Sequence, residues 1–470
     1  MITISRALAQ RVRTVFRRAF GSSQRIPIWL RFAASVNGLR VQAIHDQVAI
    51  EFRLAGPIEP DELLVPLDLL AACEGKNCQD PVRLRKLDGG QVLAEWLDKQ
   101  IPQQRTGEKP PQKLVEFPQA PIETVSNTAD LLPALAAACN TTDSHSSRYA
   151  LGCINLRGQS GSIAATDGHQ LLVQRGWQFP WQTDVLVPGN RVFSSPELAI
   201  DQPVQVGQAG DWVMLSAGPW SVFLRVQKDA RFPQIDDMVR SPTTAKSRLT
   251  LSPADARFAA DAIKRLPIGD DGSEAVTLDL NGEVLLRARA KVGTPATELH
   301  LINSQLTGES VRLVSGRKFL GRALDLGFTD ISLWGPEGAL QANDDRRNYI
   351  WMPWSEESFV PADVDTRRIT STLGGTVPAK RTSRTTTQAA ETVSAAAVEQ
   401  LAQPQDSMPE TEVKPKNNTS PIEQVSELRN VLHEALTRTN EVLRSLKRQR
   451  KQSRLVETTL QSLKQLQQVA

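Results

Sequence analysis

The chain has 470 residues, 40% hydrophobic and 23% charged, with a formal net charge of only +3, the profile of a water-soluble globular protein of about three domains. So small a charge excludes nucleic-acid binding by bulk basicity, and no apolar run approaches the roughly 18 residues that would suggest a membrane span. Four cysteines without a CxxC pair and five scattered histidines argue against a metal centre or a disulfide framework, and the N-terminus lacks the apolar core of a signal peptide, so a cytoplasmic location is expected.

Ser5 is placed to cap a helix over 5–19, in which Leu8, Val12, Val15, Phe16 and Ala19 form one apolar stripe. Arg6, Arg13 and Arg17 fall on the other face, and Arg25 follows in the loop after Gly21-Ser22-Ser23. Alternating strands are expected at 39–43 and 48–52, then a helical run from Leu64-Val65-Pro66 through Cys73. A second starting helix is expected near Ser126, over Ala129 to Cys139, and it carries no Lys or Arg. Residues 150–156 suit a buried strand, 157–161 a hairpin loop and 162–165 the return strand. Thr166-Asp167-Gly168-His169 then makes a polar knot, in which Asp167 can accept from following amides and Gly168 permits a positive φ.

Leu186-Val187-Pro188 predicts another helical run, Ser252 a third starting helix ending at Lys264 and Arg265, and Leu313-Val314-Ser315 a helix bearing Arg317 and Lys318. These landmarks, with Phe-Pro-Gln at 117–119 and 232–234, recur at roughly 120-residue intervals, too long for a solenoid and suited to tandem domains. The reading is α+β: three repeats at 1–122, 123–243 and 244–354, each an antiparallel sheet layer with two helices on one side. Residues 355–419 read as a disordered linker poor in bulky apolar side chains, and 420–470 as an amphipathic helix with a coiled-coil seam from Val425 to Gln467. Catalysis is not expected, because Asp167 and His169 have no neighbouring nucleophile or ligand set and no phosphate-loop pattern exists. No cofactor is called for.

Arg148-Tyr149-Ala150-Leu151 followed by Ala165-Thr166-Asp167-Gly168-His169-Gln170-Leu171, then Arg231-Phe232-Pro233-Gln234, then Asn348 through Trp354, together resemble the bacterial DNA polymerase III beta subunits, the sliding clamps. The resemblance implies DNA-clamp architecture, with sheets outside and helices inside. It also implies a head-to-tail homodimeric ring that encircles duplex DNA without reading sequence, as a processivity factor in the cytoplasm, at the nucleoid. A cleft for short peptides of polymerase, clamp-loader and repair proteins would be lined by Leu151, Thr166, Gly168, Leu171, Pro233, Ile350, Met352 and Pro353, with Met238 at the place of an apolar wall residue. DNA would be met by Arg6, Arg13, Arg17, Arg25, Arg148, Tyr149, Lys264, Arg265, Arg317 and Lys318. The acidic turn Asp236-Asp237, the uncharged middle helix and the long extension favour a second reading, a non-replicative paralogue serving as a scaffold through its C-terminal helix.

Overall fold

Ser5 ends the first strand and starts the first helix: its backbone is extended and its hydroxyl accepts a 3.1 Å hydrogen bond from the Leu8 amide, satisfying a donor that the helix leaves free. Ser252 repeats the device, accepting from the Asp255 amide at 3.1 Å with Pro253 at the first helical position. Ser126 does not. It lies inside a strand, and the helix that follows begins five residues on, at Leu131, without a side-chain cap. The computed structural model describes residues 1–372 except 22–26, 76–77, 113–114, 144–149, 199–200, 270–271 and 273. The expected coiled-coil helix at 420–470 and the linker beyond 372 lie outside the described residues.

The first domain contains β1 (Ile2–Ser5), α1 (Arg6–Phe20), β2 (Trp29–Ser35), β3 (Gly38–His45), β4 (Val48–Ala55), β5 (Asp61–Pro66), α2 (Leu67–Cys73), β6 (Pro81–Lys86), β7 (Val92–Asp98) and β8 (Ile101–Thr106). The second contains β9 (Thr124–Asn127), α3 (Leu131–Cys139), β10 (Cys153–Arg157), β11 (Ser162–Thr166), β12 (Gln170–Arg175), β13 (Asp184–Pro188), β14 (Val204–Ala209), β15 (Trp212–Ala217) and β16 (Trp220–Arg225). The third contains β17 (Ser247–Thr250), α4 (Pro253–Ala262), β18 (Ala275–Leu280), β19 (Val284–Ala288), β20 (Thr297–His300), an added strand β21 (Gln305–Gly308), β22 (Val311–Gly316), α5 (Arg317–Asp325), β23 (Asp330–Leu333), β24 (Leu340–Asn343) and β25 (Arg347–Trp351). The repeat is thus strand, helix, four strands, helix, three strands. The second domain departs from it: where a helix was expected after Leu186-Val187-Pro188, the described residues hold only a 3₁₀ turn, Arg191–Ser194. Pro196 explains this, since it lacks an amide donor and pushes Ser195 out of helical backbone.

The sheets run across the domain boundaries. Eight strands lie in the order β5-β2-β3-β4-β16-β15-β14-β9 and nine in the order β13-β10-β11-β12-β25-β24-β23-β17-β21. Each seam is an antiparallel ladder. β4 meets β16 with Phe52 opposite Trp220, and β12 meets β25 with Leu171 opposite Ile350. One continuous apolar core extends from Ile2 to Leu224 through the first two domains, and a second fills the third domain and takes in Leu172. On the outer face each seam carries a small apolar cluster under an interdomain connector. Phe117 covers Ala49, Met214 and Phe223, its ring 5.2 Å from that of Phe223. Phe232 and Ile235 pack on Ala164, Leu171, Val173 and Ile350. The two Phe-Pro-Gln copies therefore do equivalent work, as their spacing predicts.

The expected linker does not begin at 355. Val360 donates its amide to Thr277 Oγ1 at 2.9 Å, and β26 (Arg367–Thr370) pairs in parallel with β20. Third-domain structure thus extends past Trp354, because polar residues such as Arg368 and Ser371 find charged and backbone partners that composition does not reveal.

The second and third domains are also joined through helices. Arg322 on α5 donates to Ala137 O at 2.6 Å, Asn140 O at 2.9 Å and Thr141 Oγ1 at 2.7 Å, closing the C-terminal end of α3, where free carbonyls and the helix dipole favour a cation. Replacing Arg322 with Met takes the side-chain donor from Asn140 O and leaves Ala137 O only its 3.0 Å bond from the Thr141 hydroxyl, and is expected to cost about 1–3 kcal/mol. A denaturant midpoint unchanged from the parent chain would contradict that cap.

Candidate functional site

The Thr166–Gln170 bend forms one end of the candidate cleft. Asp167 accepts from the His169 and Gln170 amides, each at 2.9 Å, and from Gln170 Nε2 at 2.8 Å. Thr166 Oγ1 donates to Gln170 O at 2.6 Å and accepts from the Gly168 amide at 3.0 Å. Gln170 in turn accepts from the Tyr349 hydroxyl at 2.6 Å, tying the bend to β25. Gly168 has φ +90°, and a Cβ there would stand 3.8 Å from Leu151 Cδ1, so the bend and the Leu151 turn lie side by side. Asp167 accepts three bonds within the turn, in keeping with its structural reading.

Leu171 and Ile350, expected as cleft walls, are 1% and 2% exposed. They form the floor of the seam, not an open wall. Pro233 and Pro353 are half-buried and Leu151 is likewise half-buried, whereas Met238 and Met352 are 45% and 49% exposed. The apolar side chains packed over this buried pair are Ile235, Phe232, Val239 and Ala339, and the exposed methionines flank them in the chain. Trp354 turns away: its amide bonds Val314 O at 2.8 Å and its indole covers Gly316 at the start of α5. The acidic turn is compensated, because Arg157 grips Asp236 with two bonds of 2.7 and 3.2 Å, and this grip holds the Asp236 carboxyl below the usual carboxylate range.

The candidate DNA-contacting cations divide into two groups. Arg6 is spent on Asp98 Oδ1 at 3.0 Å and on the carbonyls of Cys73, Leu97 and Glu74. Arg13 is held by both Glu74 oxygens at 2.5 and 2.6 Å. Arg317 is buried and bonds Pro267 O at 2.5 Å, and burial pushes its guanidinium below the ordinary value. These three are structural, for sequence-distant acceptors claim them. Arg17, Arg265 and Lys318 are exposed and make no ion pair among the described residues. Lys264 pairs with Asp325 at 2.7 Å, but both are half-exposed; such a pair is worth about 0–1 kcal/mol, so a phosphate can compete for the lysine. Arg25, Arg148 and Tyr149 lie outside the described residues. Sequence reading missed Arg346, whose guanidinium lies 4.7 Å from the centre of the Trp177 ring. It borders a concavity of about 620 Å³ between α3 and the β24–β25 hairpin that also holds Asp130, Gln174 and Asp344.

Among the described residues no cluster of three or more potential metal ligands occurs, and no helix is long and apolar enough to cross a membrane. The cysteines are unpaired. Cys73 is buried, and burial pushes its thiol up to about 12, while the other three are half-buried.

No protein-family model and no curated protein matches the chain. Solved structures do. The DNA polymerase III subunit beta of Pseudomonas aeruginosa aligns at 18% identity with TM-score 0.61, over 75% of this chain and 99% of its own. The DNA polymerase sliding clamp of Bacillus subtilis aligns at 14% and 0.62, over 75% and 98%. The beta subunit of Thermotoga maritima aligns at 16% and 0.61, over 75% and 99%. With its repeated domains, its ladders across the domain boundaries and these matches along nearly the full length of each relative, the chain has the fold of the DNA polymerase III beta-subunit sliding clamps.

Proposed function

We propose that the chain is a non-catalytic clamp-type platform that holds short apolar peptides of DNA polymerase and other replication or repair proteins at the outer seam between its second and third domains. The observation that carries this reading is the Thr166–Gln170 bend, fixed by Asp167 and set beside Leu151 and the buried Leu171–Ile350 floor. Gly168 lets a peptide backbone approach, and methionines adapt to different partner side chains. Duplex DNA would be held loosely through Arg17, Lys264, Arg265 and Lys318, by phosphate contacts that permit sliding. Tethering then raises the partner's effective concentration at the template. A ring of two head-to-tail copies would need β8 of one to meet β20 of the other.

The test is peptide binding by fluorescence anisotropy, using short segments with adjacent bulky apolar residues from polymerase and clamp-loader subunits. Met352→Asp is expected to weaken binding about tenfold or more, the loss of one buried apolar side chain, with unchanged thermal stability because Met352 is half-exposed. Equal binding by the variant would remove the cleft from this role. The scaffold reading is favoured by the internal use of Arg6, Arg13 and Arg317. Salt-resistant retention on circular but not linear DNA supports the ring, and release from both supports the scaffold.

A further inference from the structure

Within each domain the strands can be counted from first to eighth, leaving β21 aside. Both seams then obey one rule: the fourth strand of a domain pairs antiparallel with the eighth strand of the next, β4 with β16 and β12 with β25. The third domain's fourth strand is β20, and its free edge is the place for one more eighth strand. That edge is taken. β26 lies along it, Thr297 opposite Arg367 and His300 opposite Thr370, in parallel rather than antiparallel sense.

The route to this edge repeats that of the first connector. After β8 the chain crosses the outer face of its own domain, where Pro111, Val115 and Phe117 share a hollow with Trp29 on β2, Ile44 on β3 and Leu64 on β5. After β25 it crosses the corresponding strands of the third domain. Trp354 bonds β22, Arg312 of β22 lies 5.0 Å from the centre of the Phe359 ring, Val360 bonds Thr277 of β18, and Arg289, just after β19, bonds Pro361 O. The first connector passes on to another domain, whereas this one inserts a strand. The insertion is anchored. Arg368 donates to the buried Glu298 at 2.6 Å, the Arg367 and Ser371 amides donate to Ala296 O and His300 O at 2.8 and 2.9 Å, and the Ser371 hydroxyl accepts from the Ile302 amide at 3.1 Å.

The first domain offers a weak competitor. β8 is the outer strand of the sheet β1-β6-β7-β8, and every one of its residues is exposed. The Gly107 amide donates inward to Val92 O, so by the two-residue period Pro102, Gln104 and Thr106 face outward. Proline there has already removed one of three outward donors, a device that blunts edges.

We propose that β26 is an intrachain plug for the ring-closing edge: it stands in for the eighth strand of a second copy, and the clamp body pairs head to tail with another copy only when the plug is released. The plug wins because it is tethered to the edge it fills, while β8 of a second copy must arrive from solution with one donor missing. This rests on the internal repeat and not on peptide or DNA binding.

The experiment uses the full chain and two variants. Ile369→Pro with Arg368→Glu removes the donor between the Arg367 and Ser371 amides, on the same side of β26, and reverses the charge facing Glu298. Gln104→Pro blocks an outward donor of β8 without touching its bond pattern to β7. Amide exchange is read at Glu298 and His300, whose amides face β26 whereas those of Thr297 and Leu299 face β19, and mass by sedimentation over a concentration series. In the intact chain the β20 amides are expected to be protected, and Gln104→Pro leaves the mass unchanged, whatever assembly other segments support. In the plug variant exchange at Glu298 and His300 rises at least about tenfold and a dimer gains at least about tenfold in affinity, a gain that adding Gln104→Pro abolishes. Glu298 and His300 amides as unprotected in the intact chain as those of Gln104 and Thr106, or an intact-chain dimer that Gln104→Pro dissolves, would overturn the plug. A freed edge with no β8-dependent dimer would overturn the second copy as the displaced partner while leaving the peptide reading untouched.

Discussion

Replacing Arg287 with Met is expected to destabilise the third domain by about 3 kcal/mol, the low end of what losing one partner of a buried ion pair costs. Arg287 sits on β19 with its side chain 5% exposed, between Asp279 of β18 at 2.7 Å and Glu298 of β20 at 2.5 Å, which are 7% and 2% exposed. The value lies at the low end because each carboxylate keeps one further cation, Arg312 at 3.1 Å for Asp279 and Arg368 at 2.6 Å for Glu298. Burial pushes the Asp279 carboxyl up, but the bonds from Arg287 and Arg312 outweigh it and leave the group below its ordinary value. The unfolded chain therefore takes up that proton first on acidification. The stability Asp279 contributes is complete above about pH 4, near the unfolded value, and is lost as pH falls through the lowered folded value. Without Arg287, burial dominates more, so the variant's deficit should shrink toward acid pH. Denaturant unfolding at pH 7 and pH 4 checks both statements, and an equal deficit at the two pH values would contradict the network. The triple change Asp279→Asn, Arg287→Met, Glu298→Gln should recover most of the loss, since Arg312 and Arg368, which lose their carboxylates, are half-exposed to water and no buried charge is left unpaired.

Trp220→Ala is expected to cost about 3–5 kcal/mol, the range for emptying a large aromatic site in a packed core. Trp220 of β16 is 1% exposed and crosses the first seam, its ring 4.7 Å from Phe52 and 6.3 Å from Phe16. Its Nε1 has no hydrogen-bond partner among the described residues. Trp220→Phe therefore keeps much of the aromatic contact and loses no bond, with an expected cost under about 1.5 kcal/mol. Thermal denaturation of both variants separates packing from polarity: if Phe costs as much as Ala, a bond to the indole nitrogen is being lost.

Local chemistry made much of the fold legible. Ser5 and Ser252 announce their helices because a cap is a contact within four residues, and the Asp167 bend is legible for the same reason. Ser126 misleads, since whether a serine caps or pairs depends on β14, seventy-eight residues away at its nearest. The cations were legible only as faces of a helix. Nothing near Arg6 or Arg13 in sequence foretells that Glu74 and Asp98 will claim them, and Arg317 points into the domain although its neighbour Lys318 does not. Leu171 and Ile350, expected to share a cleft, lie opposite each other on neighbouring strands, but alternation along a strand does not say that Phe232 and Ile235 will cover them. β26 was the least legible element: four residues, two of them arginine, form a strand only because an edge and a buried glutamate await them.

The continuous core of the first two domains has a consequence for how the molecule comes apart. Sequence repeats would place the joint near residue 122, yet the apolar interior passes through that point without interruption, and apart from Leu172 the second core begins only beyond Leu224. The unit of descent and the unit of melting are therefore different. Three copies share one plan, but the first two should melt as a pair and the third on its own account, with the β12–β25 ladder as the hinge of that division.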